Sequence, residues 1–153
     1  MRQTTSAYRV PVSVLVYCFR RDTNGIDYLM MRRSPKYGGF WQGITGAIDE
    51  NETPLGGARR ELKEETQLSP AHLFQVEFNY SFPMEEEWKP WYAPGVESIE
   101  ECVFLAEISD GSEPILSFEH DLYEWMPYAP AMARLKWPNN QRALEFCNRL
   151  LNS

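Results

Sequence analysis

Cysteine is scarce. The chain of 153 residues has three, Cys18, Cys102 and Cys147, far apart and without a CxxC pair. That pattern disfavours a disulfide framework and a thiolate metal site, and free thiols in a reducing compartment are expected. Long apolar runs are missing too. The run over 12–19 is interrupted by Ser13 and followed by Arg20 and Arg21, far short of the roughly 20 residues a membrane span needs. No basic segment leads into a long apolar stretch with a small-residue cleavage site, so a cytoplasmic protein is expected. Positive charge is in deficit: 15 Lys and Arg stand against 22 Asp and Glu, for a net charge of −7. A chain this acidic is a poor match for a nucleic-acid backbone. If it handles phosphates, something other than its net charge must neutralise them. Repeats, low-complexity tracts and linkers are absent, so one domain over 1–153 is expected.

What is present fits a folded domain, with 43% hydrophobic and 14% aromatic residues. The β-branched and aromatic segment 10–19 predicts a strand. Asp22 to Gly25 (DTNG) predicts a turn, and 27–33 a second strand of a hairpin. The segment 34–46 has four glycines and predicts a loop with a short strand near 41–45. Thr53 as N-cap and Pro54 at the first helical position open a helix to Gln67, with Leu55, Ala58 and Leu62 as its apolar stripe. Strands are expected over 74–80, 98–108 and 122–126, and a long acidic and aromatic loop over 81–94. A closing amphipathic helix over 138–151 presents Ala143, Phe146, Cys147, Leu150 and Leu151. Strands and helices mix without βαβ alternation, which argues an α+β fold with a mixed sheet flanked by helices.

The chemistry concentrates in 46–68, GAIDENETPLGGARRELKEETQL. On a helix Glu61 and Glu65 stack on adjacent turns, and Glu64 is three residues from Glu61. Carboxylates so placed repel one another. A hard divalent cation with oxygen preference resolves the conflict, Mg²⁺ by default and Mn²⁺ as a substitute. Such an ion would also let an acidic protein hold a polyphosphate. ELKEE alone is commonly a solvated helix face; the surrounding pattern carries the functional reading.

That pattern is Gly46, five residues, Glu52, seven residues, Arg60-Glu61-Leu62, one residue, Glu64-Glu65, one residue, Gln67 and Leu68. It resembles the Nudix box at every fixed position but one: Gln67 stands where the family has glycine. A glycine there usually takes a left-handed conformation, which costs a larger residue roughly 1 kcal/mol, so an adjusted helix end is expected. The resemblance implies an α/β/α sandwich and a metal-dependent hydrolase of a diphosphate linked to another moiety. It implies Glu61, Glu64 and Glu65 as metal ligands, with Glu52 as a further ligand or a brace of the loop. Arg60 would hold the acidic loop by ion pairing, and Gly46 would permit the turn.

Further segments, Phe40-Trp41-Gln42 before Thr45-Gly46, the YAPGV of 92–96, Phe118-Glu119-His120, and Trp137 with Asn140, resemble the bacterial dihydroneopterin triphosphate pyrophosphatases, which also act on dATP. This likeness implies Glu119 as a metal ligand or general base, beside the catalytic candidates Glu64, Glu65 and Arg60. Arg9, Arg33 and Thr45 would touch phosphates or ring, with Lys136 a further candidate. Phe82 and Tyr92 would cover a pterin or purine ring by stacking, as would Trp88 and Trp91. His120 is expected to be structural. The implied partner is a small-molecule triphosphate, with no nucleic-acid polymer and no membrane; monomer and homodimer both stay open. Two other readings are a Nudix hydrolase of dinucleoside polyphosphates or oxidised nucleotides, and a non-catalytic nucleotide-binding domain.

Overall fold

The computed structural model describes residues 8–153. Its strands are β1 (Val12–Asp22), β2 (Gly25–Arg33), β3 (Trp41–Gln42), β4 (Ile44–Ala47), β5 (His72–Pro83), β6 (Ser98–Glu107) and β7 (His120–Pro127). Its helices are α1 (Pro54–Thr66), α2 (Tyr128–Arg134) and α3 (Pro138–Leu151). The main sheet runs β3-β2-β1-β6-β5, with β4 also paired to β1 and β7 to β2. β1 and β6 are parallel and the other pairs antiparallel, so the sheet is mixed as expected.

β1 lies at the centre and buries both faces. Val14, Val16 and Cys18 face one core with Phe104, Ala106 and, from α1, Ala58 and Leu62. Leu15, Tyr17 and Phe19 face a second core with Val103, Leu105 and, from α3, Ala143, Leu144 and Cys147. Strand alternation sorts the side chains between the two helical layers, which makes the α/β/α sandwich. Two buried tyrosines are anchored at their tips: the Tyr17 hydroxyl donates to the Asn140 carbonyl at 2.7 Å and the Tyr28 hydroxyl to Asn148 Oδ1 at 2.7 Å. The three cysteines are free and buried.

Three expectations need correction, and one helix was not anticipated. Leu55 is 42% exposed, and of the stripe only Ala58 and Leu62 reach the core. The end of α1 is not adjusted around Gln67: that residue adopts the left-handed conformation, φ 61° and ψ 10°. Its N–H reaches the Lys63 carbonyl at 3.0 Å, and the Thr66 hydroxyl donates to Leu62 O at 2.7 Å and accepts from Leu68 N at 3.1 Å. These bonds offset the conformational cost. The segment 81–94 is not all loop, since β5 continues to Pro83 by pairing with β6 and Glu86–Trp91 form a 3-10 helix. Helix α2, which no periodicity marked, packs Ala131 into the second core.

Candidate active site

The box occupies β4, the turn after it, and α1. Thr53 caps α1 by accepting from Gly56 N at 3.0 Å, which fixes where the helix begins and hence where its glutamates emerge. Arg60 is the hub of the acidic turn. Its Nε and Nη2 donate to both oxygens of Glu52, at 2.9 and 3.0 Å, and Nη2 also reaches the Ala47 carbonyl at 3.0 Å. Nη1 meets Glu61 Oε1 at 3.0 Å and Glu64 Oε2 at 3.2 Å. Glu52 further accepts from Asp49 N at 2.8 Å. The planar guanidinium thus ties the loop to the helix in two directions, which a lysine could not do.

Glu61 packs against Gly46. A Cβ built on Gly46 would stand 2.2 Å from Glu61 Cδ and 2.4 Å from its Oε1. Glycine is required there by contact, and its φ is ordinary. Burial pushes the Glu61 carboxyl up to about 7, against the pull of Arg60 and with added repulsion from Glu64 and Glu65. Carboxylates outnumber cations around this helix face.

The far side of the cluster is built by the segment before β7. Glu65 is 6% exposed. It accepts from the Ser117 hydroxyl at 2.9 Å, and His120 Nδ1 lies 3.0 Å from its Oε2. Burial would raise its carboxyl, but His120 and Ser117 outweigh burial and hold it below the usual range. Glu119 stands beside it with Arg33 Nη1 at 4.0 Å. Burial and then the neighbouring Glu65 raise the Glu119 carboxyl. Two adjacent carboxyls are thus driven in opposite directions, a pattern characteristic of acid–base sites. Glu64 is the outlying member, its side chain 55% exposed. Among the described residues no three Asp, Glu, His or Cys side chains form a ready-made metal cage; Arg60 draws Glu52, Glu61 and Glu64 to itself.

A cleft of about 660 Å³ opens on the opposite face of β4, lined by Arg33, Thr45, Gly46, Phe82, Trp88 and Trp137 among others. Gly46 is therefore the thin wall between the cleft and the Glu61 carboxylate. Arg33 is steadied by Nε donating to the Tyr37 carbonyl at 3.1 Å. Phe82 and Trp88 stand edge to face at 6.3 Å and separate the cleft from a smaller cavity of about 160 Å³ that holds Arg9, Trp91 and Tyr92. There the Arg9 guanidinium covers the Trp91 ring at 4.4 Å, and Tyr92 packs with Met84 and Ile99. Lys136 lies over Trp137 at 4.8 Å and is not among the cleft-lining residues. The structure thus brings Arg33, Thr45 and Phe82 to the cleft and leaves Arg9, Tyr92 and Lys136 at its margins.

Sequence reasoning gave no site role to several polar residues around the cluster and the cleft. His120 is 5% exposed and touches both Glu65 and, through Nε2 at 3.1 Å, Gln42 Nε2. Ser13, Tyr80, Glu101 and Asn140 also line the cleft. The available signal was polar residues set inside apolar strands, Ser13 in VPVSVLVY and Glu101 in ECVFLAE.

Comparison with known proteins agrees with this geometry. The NUDIX domain model matches residues 9–147. The chain is 33% identical over 142 residues to the dihydroneopterin triphosphate diphosphatase of Haemophilus influenzae, covering 90% of this chain and 87% of that one. It is 32% identical over 145 residues to the Escherichia coli protein of the same name, covering 91% and 93%. The structure of the E. coli dihydroneopterin triphosphate pyrophosphohydrolase superposes with a TM-score of 0.73 at 30% identity, over 97% of this chain and 100% of that one. A further match, 35% identical over 107 residues, spans 28% of the length of a Myxococcus xanthus octanoyltransferase. Among the described residues no helix is long and apolar enough to cross a membrane. With the box residues gathered on β4, the turn after it and α1, and the family match running nearly end to end, the chain belongs to the NUDIX family, hydrolases of pyrophosphate bonds that generally use divalent metal ions.

Proposed function

We propose that this Nudix hydrolase cleaves dihydroneopterin triphosphate, or a dATP-type nucleoside triphosphate, to the monophosphate and pyrophosphate. The observation that carries the reading is the adjacency, across Gly46, of the glutamate cluster and a cleft large enough for a fused ring. The relatives named above, sharing about a third of their residues over nine-tenths of the chain, support the substrate class.

The donor set fits a hard cation, since it offers carboxylate oxygens and buries Glu61 among more negative than positive charge. Glu61, Glu64 and Glu65 would hold Mg²⁺, with Mn²⁺ as a substitute, and Glu52 braces the loop through Arg60. When bound, such an ion neutralises phosphate oxygens and lowers the pKa of a bound water. Glu119, its basicity raised by burial and by Glu65, takes the proton of the attacking water. Arg33 and Thr45 bind phosphate oxygens at the mouth of the cleft, and Phe82 flanks the ring. Arg60 ties the acidic turn to α1 through Glu52, and Glu61 and Glu64 would turn from it to take the ion.

Dihydroneopterin triphosphate incubated with the protein and Mg²⁺ should yield monophosphate and pyrophosphate in equal amounts by ion-exchange chromatography. Orthophosphate as the first product, or no turnover of any triphosphate by folded protein, would overturn the reading.

A further inference from the structure

His120 is a buried imidazole that the proposed chemistry leaves unused. It opens β7 at 5% exposure, and each ring nitrogen meets one side chain. Nε2 lies 3.1 Å from Gln42 Nε2 on β3, and Nδ1 lies 3.0 Å from Glu65 Oε2 on α1. Gln42 is itself buried and lines the cleft, so the three side chains form a row from the cleft wall to the glutamate cluster. One placement of protons satisfies this row. An amide nitrogen only donates, so the ring nitrogen facing it is the bare acceptor and the ring proton sits on Nδ1. Turning the Gln42 amide over would move that proton to Nε2 and set a bare Nδ1 against a carboxylate oxygen. Two buried acceptors 3.0 Å apart repel, so the charge of Glu65 selects the same arrangement from the other end. The Nδ1 contact is close but not aligned as a full hydrogen bond, and the Ser117 hydroxyl donates to the same Oε2 at 2.9 Å. The Ser117 N–H reaches the Glu65 carbonyl at 3.3 Å, and the His120 N–H reaches the Ser117 carbonyl at 3.2 Å. The turn that carries His120 is therefore fastened to α1 at Glu65 itself.

We propose that His120, held by Gln42 with its proton on Nδ1, is the positioning residue of Glu65 and fixes that carboxylate in the orientation that takes the divalent ion. Gln42 sets the tautomer, and His120 and Ser117 approach one oxygen of Glu65 from the same side. A residue that only filled space between β7 and α1 would need bulk and no donor. A positioning residue needs the donor, and groups of this kind behind a metal ligand commonly carry ten- to a hundredfold in metal affinity. The inference rests on Glu65 as a metal ligand, as the proposed function has it.

Nitrogen-15 NMR of the metal-free wild type at about pH 8, above the ordinary imidazole range, reads the tautomer without any variant. The chain has two histidines and the other, His72, is exposed, so the buried ring is readily assigned. His120 should show a protonated Nδ1 and a bare Nε2; a proton on Nε2, alone or as well, overturns the inference. Titration with Mn²⁺, with the free ion counted by electron paramagnetic resonance, then compares wild type with H120N, H120Q and H120L. The amide nitrogen of H120N falls near the place of Nδ1, whereas that of H120Q falls near the place of Nε2 and keeps a partner in Gln42. H120N should bind Mn²⁺ within about threefold of wild type, and H120Q and H120L should bind it ten- to a hundredfold more weakly. Wild-type affinity in folded H120Q overturns the inference, as does a loss in H120N equal to that in H120Q. Should H120L fail to fold, the two amide variants and the NMR spectrum decide alone. A wild type that binds no Mn²⁺ instead defeats Glu65 as a ligand, and the proposed function with it.

Discussion

Replacing Gly46 by alanine should disable the enzyme without unfolding it. The new methyl would lie 2.2 Å from Glu61 Cδ, and its three nearest neighbours all belong to that one side chain. Ordinary contact begins near 3.4 Å, so the carboxylate must retreat by about 1 Å or more. A displacement of 1 Å in a catalytic constellation costs on the order of 10²-fold, or roughly 2.7 kcal/mol of transition-state stabilisation. The backbone suffers little, because Gly46 has no left-handed φ and its pairing with Val14 is unaffected by a methyl group. Steady-state pyrophosphate release with saturating Mg²⁺ should therefore show kcat down about a hundredfold, while the melting temperature stays within a few degrees of wild type. A Gly46→Ala enzyme with kcat within threefold of wild type and an unchanged melt would refute the claim that the Glu61 carboxylate must sit against this wall.

Three further outcomes follow from the same geometry. Glu65→Gln should lower kcat by orders of magnitude with the fold intact by circular dichroism, since the amide keeps the contacts to Ser117 and His120 but loses the charge. The Glu61 carboxyl is raised to about 7 in the folded chain. Its sign is therefore that of a group protonated on folding: its contribution to metal-free stability falls as pH rises from about 4.5 to 7. A cation must displace that proton, so Mg²⁺ binding followed by calorimetry should tighten with pH up to about 7 and level off above it. A Mg²⁺ affinity flat from pH 5 to 8 would contradict this. Leu62, fully buried between α1 and the sheet, should cost about 3 kcal/mol on replacement by alanine, read as a shifted urea midpoint with an unchanged slope.

The parts of the fold legible in the sequence were those set by local pattern. Thr53 and Pro54 marked the start of α1, and the β-branched run marked β1, because caps and alternation are short-range signals. The order of the sheet was not legible. That β1 lies parallel to β6 and antiparallel to β4 depends on pairings across long stretches of chain, which no local pattern encodes. The box carboxylates were found through their spacing. Glu101, Tyr80 and Ser13 were not, because they meet only through strand register. His120 was read as structural, and its contact with Glu65 depends on how the segment before β7 folds back onto α1. Gln67 shows the opposite case, where a glycine position tolerates a larger residue because neighbouring hydrogen bonds support the left-handed turn.

The central claim is that the glutamates of α1 exist to capture a divalent ion beside the cleft. Crystals grown with Mn²⁺ and a non-hydrolysable triphosphate analogue, measured for anomalous scattering, address it directly. Anomalous peaks at about 2.1 to 2.3 Å from Glu61 and Glu65 oxygens, with the analogue's phosphates on the same ions, are the expected result. Glutamates still turned to Arg60 and solvent, with no peak between them, would contradict it.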